Sequence, residues 1–98
     1  MSKEELREEI ALGVAYLDER SPGWWKRIDS EVLDMCDPLM HVLALAYGCL
    51  VYETNEFAFW SRGELVNHGF MPLRGKEYFA TLTNEWRERV AELRSERA

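Results

Sequence analysis

Leu6, Ile10, Val14 and Leu17 recur every three or four residues, with charged and small residues between them. That spacing predicts an amphipathic helix from about Lys3 to Arg20. Ser2 can cap it, and Glu5 stands three residues on, as a capping box requires. Gly13 sits inside this helix at a cost of about 1 kcal/mol against alanine; its missing side chain would let a neighbouring tryptophan come close. Ser21-Pro22-Gly23 ends the helix, and serine followed by proline commonly opens another. A short helix carrying Trp24 and Trp25 is therefore expected. Neighbouring residues on a helix point about 100° apart, so Trp24 shares a face with Ile28 and Trp25 turns aside. Ser30 to Met35 reads as irregular, with Val32 and Leu33 pointing inward.

Asp37-Pro38 repeats the opening, with aspartate as cap and proline at the first helical position. From Pro38 to about Gly48 the apolar residues go all round, the mark of a buried helix. Thr54 or Asn55 can cap a further helix through Phe57, Trp60, Leu65 and Val66, closed by His68-Gly69. Phe70 to Leu73 is a connector. The last helix begins near Arg74–Lys76 and frays by Glu96, with Phe79, Leu82, Trp86, Val90 and Leu93 on one stripe and Glu85–Arg89 as an i,i+4 pair. Only Leu50–Tyr52 hints at a strand. The expected class is all-α: one domain over residues 1–98, a compact bundle of four to five helices around a buried central helix at about residues 38–48.

Charge refines this picture. The net charge is −6, and residues 1–60 hold twelve acids against five bases. An acidic N-terminal part repels phosphate backbones and suits a basic partner. Cys36 and Cys49 are too few for a disulfide framework; each lies beside apolar residues and is expected to be reduced and buried. The N-terminus is acidic where a signal peptide needs a basic start. The longest uncharged run, Pro38–Tyr52, is fifteen residues, short of the roughly 20 that span a bilayer. A cytoplasmic protein away from membranes is expected.

Chemistry finds little footing. Cys36, His41, Cys49 and His68 are four candidate zinc ligands, but no pair has ligand-loop spacing. No metal or cofactor is expected. His41 reads as a core-edge histidine, and His68 as a helix C-terminal residue favoured by the macrodipole. Cys36 and His41 are the nearest nucleophile and base, yet five residues along one helix would put them on different faces. The paired carboxylates Glu4/Glu5 and Glu8/Glu9 fit a solvated face, and there is no glycine-rich phosphate loop. A helix-turn-helix through Ala44 and Gly48 would start its second helix at Glu53-Thr54-Asn55-Glu56, with carboxylates where phosphates approach. Arg87, Arg89, Arg94 and Arg97, interleaved with glutamates, read as an ordinary solvated helix face. Nothing here points to an enzyme.

Leu17-Asp18-Glu19, Pro22-Gly23-Trp24-Trp25, Arg27-Ile28-Asp29, Leu33-Asp34, Leu43, Tyr47-Gly48, Gly69-Phe70, Leu82-Thr83 and Trp86 carry a resemblance. Over roughly residues 13–90 the chain resembles small uncharacterised accessory proteins of actinobacterial bacteriophages and prophages. It departs from them at His68, where an aliphatic residue is expected. The resemblance implies a phage accessory protein made in the host bacterial cytoplasm, and brings no activity or ligand. Function is then expected through protein–protein interaction, with a host protein or with itself and not with nucleic acid; an acidic inhibitor or mimic is one form of it. The alternative is a helix-turn-helix transcriptional regulator binding DNA. Tryptophan beside arginine is what interface hot spots look like, so Trp25 with Lys26 and Arg27, and Trp60 with Arg62, are the candidate partner-binding residues, although core packing is the favoured reading of both tryptophans. A homodimer would use Val90 and Leu93, at the far end of the last stripe.

Overall fold

The first stripe forms where its spacing predicts. In a computed structural model of the chain, α1 runs Lys3–Arg20 and buries Leu6, Ile10, Gly13, Val14 and Leu17. The structure describes residues 3–37, 40–47, 60–72 and 78–97; the expected cap Ser2 lies outside them. Gly23, at φ 80°, leads into a single 3-10 turn, Trp24–Arg27, in place of a proline-opened helix. Trp24 and Ile28 are fully buried, as is Leu33, whereas Val32 is exposed rather than inward.

The next helix starts later than expected. α2 spans Val42–Tyr47, and Met40 and His41 precede it in a turn and a bend. The Asp34 amide donates to the Met40 carbonyl at 3.0 Å. His41 then acts as the cap: its Nδ1 accepts from the Leu43 amide at 3.1 Å, satisfying one of the free donors at a helix start. Pro38, Leu39 and Gly48 lie outside the described residues. Val42, Leu43, Ala44 and Ala46 of α2 are all buried.

α3 covers Arg62–Asn67 and is capped by Ser61, whose hydroxyl accepts from the Glu64 amide while Glu64 reaches back to the Ser61 amide. Trp60 stands just before this helix, and the expected start at Thr54 or Asn55, with Phe57, lies outside the described residues. At the far end Gly69 has φ 72°. Its amide donates to the Val66 carbonyl at 3.0 Å, and the Phe70 amide to Leu65 at 2.9 Å. That is the Schellman closure, which favours glycine at this position. α4 runs Tyr78–Arg97 and buries Leu82, Thr83, Glu85, Trp86, Val90 and Leu93; the expected start at Arg74–Lys76, the hint of a strand at Leu50–Tyr52, and Cys49 lie outside the described residues.

The expected Glu85–Arg89 pair is replaced by others. Buried Glu85 takes Arg7 of α1 at 3.1 Å, and Arg89 turns to Glu92 at 3.1 Å. At the other end, Arg97 of α4 grips Asp18 of α1 through two nitrogens, at 2.8 and 2.9 Å. Residue 7 therefore stands beside 85 and residue 18 beside 97, so α1 and α4 run in the same direction. The 3-10 turn packs between α2 and α4, while α1 packs on α3 and α4. Among the described residues the result is a compact all-α globule of four helices, with no strand. Its radius of gyration, 12.3 Å, is close to the ~13 Å of a 100-residue domain.

Two glycines set the spacing of this assembly. A Cβ at Gly13 would lie 2.1 Å from the His68 carbonyl oxygen and 3.2 Å from both Phe70 and Trp86; one at Gly69 would lie 2.9 Å from the Ile10 Cα. The tryptophan that approaches Gly13 is thus Trp86. Its indole N–H donates to the Gly69 carbonyl at 2.6 Å. Gly13→Ala would gain about 1 kcal/mol of helix propensity but must push two backbones apart, an overpacking cost of about 2–3 kcal/mol or more. The net expectation is a clear loss of stability in urea unfolding; a variant as stable as the parent would show that the contact is looser than this.

Candidate interaction surface

Between α1 and α2 the chain has little regular backbone pairing, and α4 supplies what is missing. Arg87 donates to the Leu33 carbonyl at 2.9 Å and to Glu31 at 3.4 Å. Arg94 reaches the carbonyls of Trp25 and Lys26, each at 3.4 Å, and that of Ile28. Thr83 accepts from the Met35 amide at 2.9 Å. The arginines that read as a solvated face in sequence are, at 87, 94 and 97, turned onto the chain itself. Asp18 accepts from the Trp24 indole at 3.0 Å as well as from Arg97. The Arg97 bond, helped by Trp24, holds its carboxyl below the usual range despite partial burial.

This arrangement corrects the reading of the Trp24–Arg27 corner. Trp25 is only 9 % exposed and belongs to the core cluster. The 100° argument assumed one packed side, but a 3-10 turn rotates about 120° per residue and this one has α2 on one side and α4 on the other. Both tryptophans therefore find a buried face. Lys26 lies with its Nζ 5.3 Å from the Trp25 ring centroid, and Arg27 donates to the Ser21 hydroxyl at 2.6 Å. Val90 and Leu93 are corrected likewise: both are fully buried within the chain, because the stripe that looked overlong is covered by the turn and by α1. They offer no surface to a second copy while the protein stays folded.

Trp60 stands differently. It is half-buried and packs against the core from outside. Its ring meets Tyr16 of α1 edge-on at 5.0 Å and His68 at 4.8 Å. His68 stacks on Phe70, and Phe70 on Trp86, so a chain of aromatic rings leads from the core to the surface. Tyr16 lies under the Arg20 guanidinium, 5.7 Å from ring centroid to Cζ. One turn earlier on the same helix flank, Leu12 is 54 % exposed. Arg62, beside Trp60 in sequence, is exposed at the start of α3. Leu12, Tyr16, Trp60 and His68 thus form an apolar and aromatic patch with Arg20 and Arg62 as cations near it, and the acidic face of α1 adjoins it. There burial and the neighbouring Glu5 raise the carboxyl of Glu9. Of the sequence candidates the structure leaves Trp60 and Arg62 at this surface and sends Trp25 to the core. Leu12, Tyr16 and Arg20 were missed, although their spacing of four marks a narrow second row beside the buried stripe.

An apolar cleft of about 260 Å³ lies elsewhere, lined by Met35, Cys36, His41, Leu43, Leu65 and Phe70 among others. Cys36 is free and exposed there, not buried as expected. It shares this cleft with His41, which is on no common helix with it. Even so, the imidazole is not available as a base. Nδ1 takes the Leu43 amide, and Nε2 lies 2.7 Å from the Phe70 carbonyl. Burial pushes its pKa down from 6.5 to about 4, against the Phe70 bond, which favours the charged form. His68 places Nδ1 2.8 Å from the Glu64 carbonyl, at the helix C-terminus expected for it. Among the described residues no three His, Cys, Asp or Glu side chains group so as to hold a metal ion, and no helix is long and apolar enough to cross a membrane.

Comparison of the chain with protein-family models, with curated proteins and with solved structures gives no match.

Trp25→Ala removes a large side chain from a site packed on two sides. It should lower stability by about 3–5 kcal/mol, read as a fall in urea midpoint. A variant that melts like the parent would return Trp25 to the surface.

Proposed function

We propose that this protein is a phage accessory protein that acts by binding another protein, a host factor or a second copy of itself. The observation that carries this reading is the patch of Leu12, Tyr16, Trp60 and His68. Tryptophan, tyrosine and arginine are the residues that interface hot spots favour, and the patch brings all three types together outside the core. The carboxylates of α1 beside it would steer a basic partner and repel nucleic acid. In that form the protein would work as an acidic inhibitor, offering its carboxylates to a basic groove. A DNA-binding regulator fits less well: Arg87, Arg94 and Arg97 are engaged with this chain's own carbonyls and with Asp18.

Affinity capture from a host lysate, with and without nuclease, tests the reading. A stoichiometric protein partner should survive nuclease, and a Leu12→Ser, Trp60→Ala variant should keep its fold by circular dichroism yet lose that partner. Capture that depends on nucleic acid would favour the regulator instead. Undiminished capture by the folded double variant would move the binding surface elsewhere.

A further inference from the structure

His41 joins the start of α2 to the closing turn of α3. It is 8 % exposed, and each ring nitrogen already has a backbone partner. Because the Leu43 amide donates to Nδ1, that nitrogen carries no proton, and Nε2–H donates to the Phe70 carbonyl. One bond caps α2; the other holds the residue that completes the closure of α3. A proton added to Nδ1 would face the Leu43 N–H, donor against donor. The cap would be lost, and a buried imidazolium would need water.

The water is near, because His41 lines the cleft between Met35 and Leu43 on one side and Leu65 and Phe70 on the other. We propose that His41 is an acid-sensitive pin: its protonation releases the N-terminus of α2 from the closing turn of α3 and opens this cleft while the α1–α4 pair stays folded.

Among the described residues that line the cleft, none offers the charged ring a carboxylate. Cys36, from the loop before α2, is the titratable side chain that shares the cleft with it among its described lining. The Asp34 carboxylate accepts from the Cys36 amide at 3.0 Å. On α3, Glu64 caps Ser61, and His68 stacks against the opposite side of the aromatic chain. On α4, Glu85 is held by Arg7, and Phe79 is the α4 residue at the cleft.

The direction follows from linkage. The folded pKa of His41, about 4, lies below its ordinary 6.5, so the open form binds the proton more tightly than the closed one. The stability that neutral His41 contributes is therefore complete above about pH 6.5 and is lost as pH falls towards 4. Within that window the opening equilibrium should rise about tenfold per pH unit.

Amide hydrogen exchange between pH 7 and pH 4, corrected for intrinsic rates, reads this opening. The protection factors of Leu43 and Phe70 should fall about tenfold per unit below pH 6, while those of Trp86 and Val90 hold. His41→Asn keeps a good capping side chain without a titrating group, and its Leu43 protection should stay flat. A flat profile in the parent, the same slope in His41→Asn, or a joint fall of α2 and α4 would each overturn the proposal. Should His41→Asn fail to fold, nitrogen shifts of the parent's ring decide: a bare Nδ1 that charges only well below pH 6 supports the pin, and charging near 6.5 refutes it.

Discussion

The nearest approach in this molecule is between backbones. At Gly13 the surface of α1 is stripped of its side chain just where the His68 carbonyl arrives, and Gly69 presents a bare Cα to Ile10. Neither contact would survive a methyl group. With the two backbones this close, the Gly69 carbonyl points at the Trp86 indole, and Trp86 fixes the height of α4 against α1. The rings of Trp24 and Phe70 then close on either side of it, at 6.1 and 6.0 Å. A short helix such as α3 has little hold of its own. It is placed by this seam and by its two end closures.

The segment between α1 and α2 solves a different problem. Helices satisfy their own carbonyls; an irregular stretch packed against a core does not, and buried polar groups without partners cost stability. Two arginines and a threonine on α4 answer for residues 25–35, and the dense row of charges on that helix has an inward side as well as a wet one. The corner with adjacent tryptophans is buried, and the half-buried aromatic patch is assembled from α1 and the approach to α3.

The parts legible in the sequence are those with local periodicity. Leu6 to Leu17 and Phe79 to Leu93 trace their helices because a buried stripe repeats within each element. The His68-Gly69 closure was legible too, since a left-handed turn wants glycine. Ser61 and Glu64 carried a readable capping box that stronger-looking candidates upstream concealed. Trp25 was open to two readings, core or partner surface, because a lone turn suggests one packed side when this one has two. The burial of Glu85 and the cap at His41 depend on Arg7 and Phe70, which are 78 and 29 residues away, and no spacing rule reaches across such gaps. The candidate surface was half visible: Trp60 and Arg62 are neighbours in the chain, whereas Tyr16 joins them only through the fold.

The arginine contacts also set the order in which the chain can mature. Arg87 and Arg94 meet partners 54 to 69 residues earlier, and Arg97 meets one 79 residues earlier. Helical proteins usually fold fast because their contacts are local. Here α1 can form as soon as it is made, and the tryptophan turn after it can meet Asp18 and α2 early, but its backbone carbonyls are not clasped until the last helix arrives. On the ribosome that turn waits for its α4 clasp while the 66 to 69 residues between them are made. Folding is therefore less a growth from the N-terminus than a closure performed by α4.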